Sequence, residues 1–124
     1  MKDTKKYSDK YKHNESFVEF LDESNEFPDW TIIGIFYSAL HYMNLFLSTQ
    51  YDIESSNINS HMKRNTIIKH KCSDNIAKQY NILYDLSRTA RYQYIDMSKQ
   101  LGYARSCYKR LKDCCKNETL ARLK

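Results

Sequence analysis

Six residues have side chains suited to holding a phosphate: His41, His61, Arg64, Arg88, Arg91 and Tyr92. Guanidinium groups offer a planar fork of donors that matches phosphate oxygens. Imidazoles donate hydrogen bonds and titrate near neutral pH. Tyr92, with Tyr94 close by, has a face on which a base can stack. Catalytic roles are assigned to His61, Arg64 and Arg88, and phosphate or nucleic-acid contacts to His41, Arg64, Arg88, Arg91 and Tyr92. The competing reading is structural. In it, Arg88 and Arg91 pair with Glu19, Asp22 and Glu23, and His41 is a hydrogen-bonded core histidine. Other chemistries find no support. Cys72, Cys107, Cys114 and Cys115 have neither disulfide nor zinc spacing, and no serine sits in a Gly-flanked elbow. No metal site and no cofactor are expected.

These residues need elements to carry them. The chain has 124 residues with only 2 Gly and 1 Pro. Sandwiches and barrels need turn residues at short intervals, and a phosphate loop needs clustered glycines. Gly34 and Gly102 stand alone, so few, long helices in one domain over 1–124 are expected. The first helix is read over 3–21, with Tyr7, Tyr11, Phe17, Val18 and Leu21 near one face. Asn25 to Pro28 breaks it, and Asp29 is placed as the N-cap of a second helix over 30–49.

That second helix is apolar around most of its circumference, which marks it as the core. The run Thr31 to Leu47 has 17 residues but includes Ser38, His41 and Asn44, so a buried helix explains it better than a bilayer span. A stripe of Gly34, Ser38 and His41, continuing through Asn44 or Leu45 to Ser48, allows another helix to come close. Ser60 caps a third helix over 61–71, and Ser73 a fourth over 74–88. Residues 91–95 are irregular. Asp96 or Ser98 opens the last helix towards Leu123, with a basic tail over 116–124 that is expected to fray. The fold class is therefore all-α, an antiparallel up-down bundle of about five helices. Most of the 11 tyrosines sit at core-facing positions, with a polar tip free to hydrogen-bond.

Charge divides along the chain. Residues 1–60 hold 5 basic and 10 acidic residues, and residues 61–124 hold 15 and 5. A basic half-chain fits a polyanion partner, or it packs beside the acidic half. The N-terminus has no apolar signal region, so reduced thiols and a cytoplasmic location are expected, with no membrane partner.

Three segments carry a family resemblance. They are Phe36-Tyr37-Ser38-Ala39-Leu40-His41, Ser60-His61 with Arg64, and Ser87-Arg88-Thr89-Ala90-Arg91-Tyr92. In this order and separation they resemble a bacterial and archaeal subgroup of HEPN domains, over roughly residues 30–115. The resemblance implies a helical bundle that often dimerises. It implies an RNA or nucleotide ligand, in some members as a metal-independent ribonuclease of toxin–antitoxin or phage-defence systems. In others it implies an inactive module that dimerises or partners a nucleotidyltransferase or another defence protein. Nuclease members carry Arg and, four to six residues on, His. The His moves a proton at the ribose 2′-hydroxyl or leaving oxygen, and the Arg stabilises charge on the phosphate. Here no His follows Arg88 or Arg91. The matching spacing is instead Arg64 to His70, an alternative catalytic pair. Six residues of unbroken helix would turn the two well apart.

Overall fold

The computed structural model describes residues 3–123; Met1, Lys2 and Lys124 lie outside the described residues. Five α-helices form an all-α bundle: α1 Thr4–Ser24, α2 Pro28–Gln50, α3 His61–Lys71, α4 Asp74–Tyr92 and α5 Ser98–Arg122. A single 3-10 turn, Ser55–Asn57, interrupts the loop before α3.

Local chemistry explains most boundaries. Asn25 ends α1 in the left-handed region at φ 54°, a conformation Asn tolerates. Pro28 then occupies the first turn of α2, where a missing N–H is harmless. Asp29 is therefore not the cap. Phe27 holds that position, and Asp29 lies inside the first turn, where a carboxylate favours the helix dipole. The Ser60 and Ser73 hydroxyls accept from the N–H groups of Lys63 and Ile76, as N-caps do. The fourth helix continues through Arg91 to Tyr92, so only the stretch after it is irregular. Before α5, the Asp96 carboxylate accepts from both the N–H and the hydroxyl of Ser98.

α2 is the central element. Ile32, Phe36, Ala39, Met43 and Leu47 are fully shielded, and the helix packs against α1, α4 and α5. By length and composition it could cross a membrane, but 78 % of its most apolar window is already covered by protein. Such covering is what a core helix shows.

Gly34 makes the α1 contact close: a Cβ there would lie 2.9 Å from Val18 Cγ2. The Gly34 carbonyl also accepts from the Ser38 hydroxyl, which removes a buried polar group from the stripe. Phe17 is displaced outward and remains 43 % exposed, unlike its expected core partners Tyr7, Val18 and Leu21.

α1 and α5 run antiparallel. Asp22 meets Arg105, while Glu15 accepts from Tyr108 at 2.5 Å and Lys112 at 2.9 Å. The segment expected to fray is helical through Arg122. Tyr51, the C-cap of α2, hydrogen-bonds Glu118, and the Arg122 guanidinium lies 4.6 Å from its ring centroid. All four cysteines are free thiols, and burial pushes Cys72 up to about 12.

Candidate functional site

The arginines reach different fates because their helices present them to different neighbours. Arg64 is on the inner face of α3 and is only 5 % exposed. Its Nε donates to Asn44 Oδ1 at 2.8 Å and its Nη2 to the Ile58 carbonyl at 3.0 Å. Its Nη1 faces His61 Nδ1 at 3.4 Å. The hydroxyl of the buried Tyr80 lies beside the same guanidinium without hydrogen-bond geometry. Every acceptor of Arg64 is therefore neutral. The residue is a brace that joins α2, the following loop and α3, rather than a free guanidinium on a catalytic surface.

Arg88 and Arg91 occupy successive positions on one face of α4 near its C-terminus. The Arg88 guanidinium stands 5.7 Å from the Tyr84 ring centroid. That of Arg91 lies 5.9 Å from the Tyr37 ring and 5.3 Å from the Tyr92 ring. These are cation–π distances. Arg91 also donates to the Tyr37 hydroxyl at 3.2 Å and to the Ser87 carbonyl at 3.3 Å. Among the described residues neither arginine pairs with a carboxylate. The structural alternative fails on this point, since Asp22 binds Arg105 instead. Arg88 and Tyr92 border a shallow hollow of about 300 Å³ with Asp85, Thr89 and Gln93.

His61 joins this group from the start of α3. Its ring stacks on Phe36 at 6.0 Å and tilts against Tyr84 at 5.4 Å. Partial burial and the positive charges of Arg64 and Arg91 hold its pKa below the usual value, so it is neutral at pH 7. With Arg64 donating to Nδ1, the ring proton resides on Nε2.

His41 does not join. It lies on the other side of Arg64, in a cleft towards α1. Its Nδ1 is shielded and has no hydrogen-bond partner, which also departs from the satisfied core histidine of the structural reading. Burial first, then Lys10, Arg64 and Lys6, push its pKa down to about 4. The Arg64–His70 pair is not assembled. α3 is unbroken to Lys71, with Arg64 buried and His70 on the exposed side.

The structure thus gathers His61, Arg88, Arg91 and Tyr92 on one face and leaves His41 and His70 apart. Tyr37 and Tyr84 belong to that face but are not among the candidate site residues singled out from the sequence. Among the described residues no group of His, Cys, Asp and Glu is arranged to hold a metal. Comparison with family models, curated proteins and solved structures gave no match. The fold defines the chain as an all-α bundle of five helices.

Proposed function

We propose that the chain is a HEPN-like domain of a toxin–antitoxin or defence system that binds RNA through the α4 face. The observation that carries this reading is the pair Arg88 and Arg91. Each lies against aromatic rings, neither has a carboxylate partner among the described residues, and His61 lies next to them. Phosphates fit the guanidiniums, and exposed Tyr92 and Tyr94, 76 % and 107 % accessible, offer stacking faces to bases. Binding is favoured over cutting. A general base needs a free ring nitrogen at the attacking hydroxyl. The accepting nitrogen of His61 is turned to Arg64, so its outer nitrogen is a donor to a phosphate oxygen.

Fluorescence anisotropy with a labelled single-stranded RNA tests this. The expected affinity falls steeply with salt, and replacing both Arg88 and Arg91 by Ala lowers the log–log salt slope by about 1.4, as for two lost phosphate contacts. An affinity unchanged by the double substitution refutes the reading. EDTA-resistant cleavage that disappears in His61→Ala would overturn the preference for binding.

A second reading, a module that pairs with another copy of itself, is favoured by Phe20, Phe27 and Trp30. They expose 68 %, 46 % and 54 % of their surface around the α1–α2 turn. A strict monomer by light scattering removes it.

A further inference from the structure

The cleft that holds His41 has the makings of an anion site of its own. It measures about 290 Å³ and is lined by Lys6 and Lys10 of α1, His41 and Asn44 of α2, Asn59 of the loop and Arg64 of α3. No residue of α4 contributes to its wall. Leu40, Ile58 and the buried Tyr7 form its apolar part.

Three observations converge. Arg64 is a buried cation with neutral acceptors only, and a buried charge without a counter-charge is costly. Three of its five N–H hydrogens are engaged, which leaves others for a ligand. Lys6 and Lys10 likewise form no ion pair among the described residues. His41 is half-buried and lines the same cleft between these cations. Among the described residues Asp3 is the single carboxylate in the wall, against the cations Lys6, Lys10 and Arg64. The size lies at the lower end of small-molecule pockets, which start near about 300 Å³. A small, multiply charged group with acceptors on several sides fits these donors better than a monovalent carboxylate.

We infer that this cleft binds a phosphate group, free or at the end of a nucleotide, between Lys6, Lys10, His41 and Arg64. The ligand supplies the counter-charge that Arg64 lacks. The site is separate from the α4 face and stands without the RNA-binding reading.

The test is imidazole NMR on the intact chain at constant ionic strength, titrated first with inorganic phosphate and then with AMP. His41→Asn identifies the His41 signal. The expected result is a saturable shift of that signal and an upward move of its titration midpoint by about one unit or more. Replacing both lysines, Lys6→Gln with Lys10→Gln, is expected to weaken binding at least about tenfold. Replacing Arg88 and Arg91 by Ala is expected to leave it unchanged. Tighter binding of AMP points to a nucleotide end, and equal or weaker binding points to free phosphate. A His41 signal that follows ionic strength alone overturns the inference, as does a lysine double variant that binds like the parent.

Discussion

Replacing Arg64 by Lys separates a brace from a binding residue, because the charge is kept while the fork is lost. Arg64 reaches Asn44 Oδ1, the Ile58 carbonyl and His61 Nδ1 from three different nitrogens. A lysine ammonium is a single point and cannot serve acceptors on three elements at once. The Asn44 side chain can turn, but the Ile58 carbonyl is fixed by the loop. Hydrogen bonds from a charged donor contribute about 1.5–3 kcal/mol each. The His61 contact is long at 3.4 Å and counts for less. Losing the equivalent of one strong bond, with partial relaxation of a second, gives about 3 kcal/mol. For a domain of this size that lowers the melting temperature by about 12 °C. Urea and thermal unfolding followed by circular dichroism measure it. An Arg64→Lys chain that melts within about 2 °C of the parent but loses RNA affinity would show that Arg64 acts at the ligand.

Other outcomes follow from separate parts of the bundle. His41 is neutral in the folded chain down to about 4 but takes up a proton near 6.5 when unfolded. The unfolded chain therefore binds more protons between those values, so stability rises with pH across that window. The contribution is about 1.5 kcal/mol after its partial exposure is discounted, and His41→Asn should remove about that much of the rise in unfolding free energy across the window in urea titrations; an unchanged rise refutes it. Gly34→Ala places a Cβ 2.9 Å from Val18 Cγ2, on a stiff β-branched side chain. The clash outweighs Ala's better helix propensity, for a net loss of about 1 kcal/mol that Val18→Ala in the same chain partly relieves. Tyr51→Phe removes the hydroxyl that holds Glu118. It should cost about 1 kcal/mol and speed amide exchange at residues 117–122, with the rest of α5 unaffected.

The helices could be read from the sequence because their signals are local. Ser60 and Ser73 bond N–H groups three residues away, and the breadth of the apolar face on α2 already marks a helix enclosed by others. Asp29 is misplaced because Pro28 starts the helix two residues earlier than expected and leaves the carboxylate inside the first turn. The arginines were harder. Arg64, Arg88 and Arg91 look alike in sequence, yet one is buried and two lie outside. The difference is made by Asn44, 20 residues before Arg64, which supplies an acceptor inside the core. An Asn within an apolar stripe must find a donor, and that was the available signal. Tyr37 and Tyr84 are not among the candidate site residues because spacing describes where a ring sits and not which cation lies over it.

Of the whole of α3, only Arg64 and Ile68 are buried. A short helix with two buried anchors, helped only by the His61 ring and the half-buried Ile67, is the natural first unit to detach in native-state fluctuations. When it swings away, His61 leaves the Phe36 and Tyr84 rings, and one wall of the His41 cleft leaves with it. Both proposed surfaces are thus anchored to the same short segment. Anything that clamps that segment, whether RNA on one side or phosphate on the other, would deepen its exchange protection and favour the other ligand without the two ever touching.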